Sequence, residues 1–197
     1  MQSNITESGS LALQTSPCES CDSGSFTFVC DRGDGTQIVR CLNCDLEAVN
    51  PLPDKSNLNL IYNLEMKGEP SKTPKNKSLF KTYITQHIER EKSFKKIHQK
   101  RLRLIEHFSQ KKGNLLDVGC GAGFFINYAK SEGWNVNGID LLDEYIQFAK
   151  EKLMIKNAQC LSLEKAQFSE QCFDVVTLWD LIEHLSHPLH ELKKINR

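Results

Sequence analysis

The segment LLDVGCGAGFF combines a carboxylate with a glycine-rich turn. Its apolar run is interrupted at Asp117 and is followed by Gly119, Gly121 and Gly123 at alternate positions. Glycine lets a backbone approach a ligand closely and aim its amides at it, so this turn predicts a ligand-binding loop. Asp140 lies 21 residues after Gly119, where a carboxylate can accept both ribose hydroxyls of a nucleoside. Together these residues predict a site for an adenosine derivative.

The exact glycine spacing discriminates between two adenosine cofactors. A dinucleotide fingerprint reads G-x-G-x-x-G, but here the third glycine comes one residue early and Phe124 takes its place. The carboxylate of Asp117 would repel a pyrophosphate, whereas it would attract a cationic amino-acid tail. S-adenosylmethionine, which carries an adenosine, a sulfonium and an ammonium, therefore fits the pattern better than NAD.

Two C-x-x-C pairs near the N-terminus have the spacing of a metal site. CESC and CLNC are separated by 19 residues, which is within the range of zinc motifs. Two tight turns would direct the thiolates of Cys18, Cys21, Cys41 and Cys44 at one zinc ion. The segment between the pairs reads as strand, Gly-Asp-Gly turn and strand, with Cys30 as a packed spare thiol. This predicts a zinc ribbon that supports the fold, and a role in recognition stays open.

The elements that must position these residues alternate between strand and helix. Four apolar segments predict parallel strands, NLLDVG, WNVNGID, AQCLSL and CFDVVTLWD, and helical segments follow three of them. Such sheets bind ligands beyond the carboxyl ends of their strands. The predicted fold class is α/β: an incomplete Rossmann-like parallel sheet of about four strands, with a small N-terminal zinc ribbon and a helical connector.

The predicted organisation has four segments. A disordered tail is expected at 1–16, the zinc ribbon at 17–54, a linker and helical connector at 55–112, and the Rossmann-like domain at 113–197. Within the connector, apolar residues return at helical spacing, which predicts one long helix or two shorter ones.

Composition narrows the classes of partner. The formal net charge is zero, which gives no general reason to expect nucleic acid or an anionic membrane. No segment reaches the length of a membrane span, and the first residues lack the basic start and apolar core of a secretory signal. We therefore expect a cytoplasmic protein.

Three sequence pieces in order, LLDVGCGAG, GID and FDVVTLWDLIEHLSHP, resemble those of class I S-adenosylmethionine-dependent methyltransferases. With the C-x-x-C module and the phrase NPLPD that follows it, the chain is similar to bacterial members of this family. The resemblance implies the residues of a cofactor site. The methionine part would be surrounded by Asp117, Gly119, Gly121 and Gly123, and the ribose would be held by Asp140. Leu141 and Leu163 would contact the adenine, and Trp179 would lie near the methyl group.

The segment EHLSH supplies the candidates for catalysis. A hydroxyl or carbon acceptor needs a base, and His184 beside Glu183 is suited to that role because an imidazole titrates near neutral pH. The resemblance implies an alternative in which the pair caps a helix or packs the pocket floor, and this structural role is favoured. A metal bound by both side chains is a weaker alternative.

The resemblance also implies the function and how much of the fold is present. The similar fold continues through further strands beyond the last helix, so we expect a truncated chain whose open sheet edge a partner or a second copy would cover. The expected function is methyl transfer to a small molecule or saccharide precursor. One alternative is an RNA methyltransferase that uses the ribbon and the basic helical connector, which has 14 Lys and Arg residues against 5 Asp and Glu residues from Glu65 to Lys112. The other is an inactive cofactor- or zinc-dependent interaction protein.

Overall fold

The computed structural model describes residues 16–33, 35–50, 79–109, 111–185 and 187–196. Almost all of the expected disordered tail, and the linker that precedes the first helix, lie outside these residues. The chain divides into two compact units, which are described separately below.

The N-terminal unit, Met1–Leu58, contains a three-stranded antiparallel sheet. Its strands are β1 (Phe26–Asp31), β2 (Gln37–Cys41) and β3 (Glu47–Asn50), in the order β1-β2-β3. The predicted pair of strands is therefore present, and β3 adds a third strand that the sequence analysis did not predict. The sheet places the second C-x-x-C pair at the end of β2, where the chain turns into β3.

The expectation that Cys30 is packed is wrong, because its side chain is exposed. The register of β1 against β2 shifts between Phe28 and Cys30. Every residue of this edge strand except Phe26 is exposed. A bulge on an edge strand thus leaves the thiol on the surface rather than in a core.

The C-terminal unit, Asn59–Arg197, is built on a four-stranded parallel sheet. Its strands are β4 (Asn114–Val118), β5 (Asn135–Asp140), β6 (Ala158–Cys160) and β7 (Val175–Thr177). The strand order is β6-β5-β4-β7, so the chain leaves the central strand β4 in one direction and later returns to its other side. This confirms the predicted α/β fold class and puts a topological switch point at the carboxyl end of β4.

Among the described residues of this unit, five α-helices accompany the sheet: α1 (Leu79–Glu89), α2 (Glu91–Phe108), α3 (Phe124–Ser131), α4 (Asp143–Glu151) and α5 (Pro188–Ile195). A one-residue break separates α1 from α2, so the described part of the connector forms two helices rather than one. None of the helices in the described ranges combines the length and apolarity that a membrane crossing requires.

Successive side chains of β4 point to opposite faces of the sheet, and their burial builds a core on each face. Leu115 joins the cluster formed with α2, α3 and α4, which includes Ile126 and Ile146. Leu116, the next residue, packs on the opposite face with Ile139. Because successive side chains of a strand point to opposite faces, a run of apolar residues predicts a strand that is covered on both.

Helix α1 packs onto the unit through aromatic rings. The rings of Phe80 and Tyr83 lie 5.3 and 5.1 Å from that of Tyr145 on α4. Tyr83 also approaches Phe124, the first residue of α3, at 6.1 Å, and Phe80 approaches Phe148 at 6.3 Å. We call these five residues the aromatic cluster. It fixes α1 beside the loop that follows β4.

Candidate functional site

The loop of residues 119–123, called the glycine loop below, joins β4 to α3 in a backbone form that needs glycine. Gly119, Gly121 and Gly123 have φ values of 75°, 54° and 81°, which L side chains rarely adopt. The amides of Gly119 and Cys120 both donate to the carbonyl of Ile139, at 2.8 and 3.0 Å. Gly123 then forms the N-cap of α3. The amides of the glycine loop thereby tie it to β5.

Asp140, the last residue of β5, links the glycine loop to the next turn. One carboxylate oxygen accepts the amide of Gly121 at 2.8 Å, and the other accepts the amide of Leu142 at 2.9 Å. The side chain is 8% exposed, and this burial raises its pKa above the usual range while the backbone amides oppose the rise. Leu141, which follows, is 55% exposed. A buried carboxylate and an exposed apolar side chain therefore adjoin at this strand end.

Asp117 lies beneath the glycine loop with a hydrogen-bond partner that the sequence analysis missed. The hydroxyl of Thr177 on β7 donates to its carboxylate at 2.6 Å. Asp117 is 3% exposed, and burial raises its pKa to about 7, against the hydrogen bond from Thr177 and the charge of Arg101. A cation close by would therefore shift Asp117 toward its charged form. The one sequence signal for this pairing is a hydroxyl residue within the apolar run VVTLW.

A second group that the sequence analysis missed surrounds Trp179. The guanidinium of Arg101 on α2 lies 4.7 Å from the centroid of the Trp179 ring and donates to Asp180 at 2.6 Å. Trp179 also meets Phe125 of α3 edge to face, with centroids 5.8 Å apart. Asp180 has a φ of 54°, unusual for a residue with a side chain. The arrangement fixes Trp179 just beyond β7, with a cation against its ring.

The remaining predicted residues lie in two other turns. Leu163 follows β6, and its side chain packs on the face of the sheet that carries Leu116. Glu183 and His184 belong to a 3-10 turn after β7, and both side chains are exposed. The structure therefore brings together Asp117, the three glycines, Asp140 and Leu141, whereas the Glu-His pair occupies a separate turn.

A cavity of about 930 Å³ lies alongside β7, an edge strand of the sheet. Its lining includes Leu104 and Phe108 of α2 and Trp179 and Ile182 after the strand. Phe108 is 78% exposed and Leu104 52%. The expectation that a partner or a second copy covers this edge stays a prediction.

In the N-terminal unit, the four predicted ligands form one group, called the cysteine cluster below: Cys18, Cys21, Cys41 and Cys44. Their sulfur atoms all lie within 4.8 Å of one another, and the pairs Cys18–Cys44 and Cys21–Cys41 are 3.5 Å apart. Tetrahedral zinc with Zn–S bonds of about 2.3 Å separates its sulfurs by about 3.8 Å. The cluster is therefore compatible with a zinc ribbon.

The backbone favours the thiolate form of one member of the cysteine cluster, Cys41. The amide of Asn43 donates to the sulfur of Cys41 at 3.4 Å. This contact is the largest of several that lower the pKa of that thiol to about 6. The pKa of Cys44 is raised instead, because a backbone hydrogen bond with Leu46 is outweighed by burial and the other three thiols. A thiol that loses its proton below neutral pH is prepared to bind a metal ion.

A family model described as a methyltransferase domain matches residues 87–197. The chain belongs to the class I S-adenosylmethionine-dependent methyltransferases. The match begins in α1 and covers the sheet, the glycine loop and the Glu-His turn. This confirms the family that the three sequence pieces indicated.

Curated methyltransferases resemble the same part of the chain. The ubiquinone biosynthesis O-methyltransferase of Coxiella burnetii is 33% identical over 102 residues, which cover 49% of this chain and 44% of that protein. The protein of the same name from Hydrogenovibrio crunogenus is 33% identical over 99 residues, covering 47% and 41%. This chain thus spans less than half the length of these methyltransferases.

Solved methyltransferases share the fold. The plantazolicin methyltransferase BpumL in complex with SAH matches 72% of this chain and 56% of its own, with a TM-score of 0.50 and 17% identity. CalS10, an amino pentose methyltransferase from Micromonospora echinaspora, matches 58% and 50%, with a TM-score of 0.50 and 19% identity. At this identity the likeness concerns the fold of the methyltransferase unit, residues 59–197.

Proposed function

We propose that this chain binds S-adenosylmethionine at the carboxyl ends of β4 and β5 and transfers its methyl group to a small-molecule acceptor. The observation that carries the proposal is the position of Asp140, whose carboxylate joins the glycine loop to the turn that begins with the exposed Leu141. A carboxylate at this strand end suits the ribose hydroxyls of a nucleoside. Family membership supports the same cofactor.

Different residues at the strand ends would contact different parts of the cofactor. Asp140 would accept the ribose hydroxyls, and Leu141 would cover one face of the adenine, for which its exposure is suited. Leu163 would meet the adenine edge through its backbone. The glycine loop would surround the methionine part. Asp117 would attract the ammonium group of the cofactor. Burial raises the pKa of this carboxyl group, and a nearby cation would stabilise its charged form.

The cofactor supplies a methyl group that its sulfonium already activates, so the protein has mainly to orient the acceptor. Trp179 would line the pocket near that methyl group, fixed by Arg101 and Phe125. The exposed 3-10 turn leaves His184 accessible to an acceptor, which favours the general-base role over packing in a pocket floor. Glu183 beside it would orient or charge-stabilise the imidazole.

A small molecule is the proposed acceptor. The support comes from the names of the two curated relatives, both enzymes of ubiquinone biosynthesis that methylate oxygen. An oxygen acceptor has to lose a proton, which fits a histidine just beyond β7. A saccharide precursor is the alternative within the same class.

The cysteine cluster would hold one zinc ion with a structural role. Four thiolates that close a tetrahedron leave no position for a reacting water. The N-terminal unit offers a small core, so metal binding would supply much of its folding free energy.

Calorimetry with S-adenosylhomocysteine and NADH tests the cofactor. We expect the first to bind and the second not to bind, and the reverse preference would overturn the proposal. Transfer of a tritiated methyl group from S-adenosylmethionine into a cell extract then sorts the acceptor by size. Label in RNA rather than in small molecules would make RNA the acceptor and contradict the proposed class. In that case binding of RNA should weaken steeply as the salt concentration rises.

A further inference from the structure

The hydroxyl of Tyr83 lies over the middle of the glycine loop. Its oxygen is 3.1 Å from the position that a Cβ atom on Gly121 would occupy. Gly121 in turn donates its amide to Asp140, the proposed ribose ligand. A side chain from α1, a helix that precedes the strand–helix series, therefore reaches the proposed cofactor site.

Packing holds the Tyr83 ring in this position. Its centroid lies 5.1 Å from that of Tyr145, 6.1 Å from that of Phe124 and 4.1 Å from that of His87. With neighbours on three elements, the ring has little freedom to turn away from the loop. The hydroxyl is thus placed before a ligand binds, which lowers the entropic cost of a contact with it.

The surroundings of Tyr83 also determine what its hydroxyl can do. Burial raises the pKa of the phenol well above its usual range, and the carboxylates of Asp140 and Asp117 raise it further. The phenol therefore keeps its proton at neutral pH and can donate a hydrogen bond.

Building on the proposed cofactor, we infer that the Tyr83 hydroxyl donates a hydrogen bond to the α-carboxylate of S-adenosylmethionine. The amino-acid tail of that molecule has an ammonium group, which only donates hydrogen bonds, and a carboxylate, which only accepts them. A neutral donor over the loop pairs with the carboxylate. The N-terminus of α3, which Gly123 caps, favours an anion at the same place. Helix α1 is then part of the cofactor site.

The experiment compares Tyr83→Phe with the wild-type protein for two ligands. S-adenosylhomocysteine carries the amino-acid tail, and 5′-methylthioadenosine keeps the adenosine and the sulfur but lacks the tail. In calorimetry, the substitution should lower the affinity for S-adenosylhomocysteine by about tenfold or more, the usual scale for a hydrogen bond to a charged group. Binding of 5′-methylthioadenosine should stay within about twofold.

The matched control is Tyr128→Phe, which removes a phenol hydroxyl from α3 and should leave both affinities unchanged. An unchanged unfolding midpoint in Tyr83→Phe would show that the ring still packs in the aromatic cluster. Unaltered binding of S-adenosylhomocysteine to Tyr83→Phe, or an equal loss for both ligands, would overturn the inference. Wild-type protein that binds neither ligand would overturn the proposed function and this inference with it.

Discussion

Acidification should destabilise the methyltransferase unit through one buried histidine. His98 on α2 is 8% exposed, and its ring lies among those of Phe94, Phe125 and Tyr128, with centroids 6.5, 5.9 and 6.3 Å away. Within the described part of the chain its buried Nδ1 atom has no hydrogen-bond partner. The side chain is therefore held in its neutral form by its surroundings.

The size of the effect follows from the pKa of His98. Burial lowers it from the ordinary value of 6.5 to about 4, and the positive charges of Arg101 and His87 act in the same direction. Below pH 6.5 the imidazole of His98 binds a proton in the unfolded chain, whereas in the folded chain it stays neutral until the pH approaches 4. The contribution of the neutral His98 to the free energy of unfolding is therefore fully present above pH 6.5 and is lost as the pH falls toward 4. The full loss amounts to about 3 kcal/mol, or roughly 6–12 °C in Tm for a chain of this size.

Urea unfolding of the wild type and of His98→Phe, from about pH 7.5 to about pH 4.5, measures this term. Both tryptophans of the chain, Trp134 and Trp179, lie in the methyltransferase unit, so their fluorescence reports that unit alone. Groups that titrate elsewhere, including the cysteines, affect both proteins equally and cancel in the difference.

The expected outcome is a free energy of unfolding that falls less steeply with acid in His98→Phe than in the wild type. His107→Gln, an exposed histidine on the same helix, is the matched control and should retain the wild-type slope. An identical pH dependence in His98→Phe and the wild type would refute the reasoning, because the proton uptake would then belong to other groups.

Four further predictions address the two proposed sites. Elemental analysis should find one zinc per chain, and removing it with a chelator should expose the four thiols of the cysteine cluster to titration; metal-free protein with all four thiols reactive from the start would contradict this. Asp140→Ala should weaken S-adenosylhomocysteine by roughly 10- to 100-fold in calorimetry, since a charge-assisted contact is lost. Thr177→Val should cost about 1–3 kcal/mol in urea unfolding and raise the pKa of Asp117 further, whereas equal stability would mean that the 2.6 Å hydrogen bond contributes nothing. In a preparation with measurable turnover, His184→Ala should lower the rate by about 10²–10⁴-fold without changing cofactor affinity, while a parallel loss of affinity and stability would assign it the structural role.

Patterns that are local in sequence predicted much of the fold. The apolar runs of β4 and β5 are buried on both faces, so they stand out without an alignment. The glycine loop is recognisable because its positive φ values exclude most other residues. By contrast, β3 has only four residues and little apolar character, which gives no strand signal.

Contacts between distant residues could not be predicted in this way. Thr177 meets Asp117 across 60 residues, and Arg101 meets Asp180 across 79. Each is an ordinary polar residue in its own segment and acquires its role only when the strands are paired. The position of Tyr83 has the same origin, because helical periodicity identified a buried face of α1 but not what that face would cover.

The docking of α1 against the glycine loop has a consequence for domain grafting. A cut at Gly113, where the alternation of strands and helices begins, would separate the aromatic cluster and leave Phe124, Tyr145 and Phe148 facing solvent. An exchange of the N-terminal unit for another module should instead join the chains between Asn50 and Leu79. A transplanted methyltransferase unit that begins at Leu79 would carry its own covering helix into any new host.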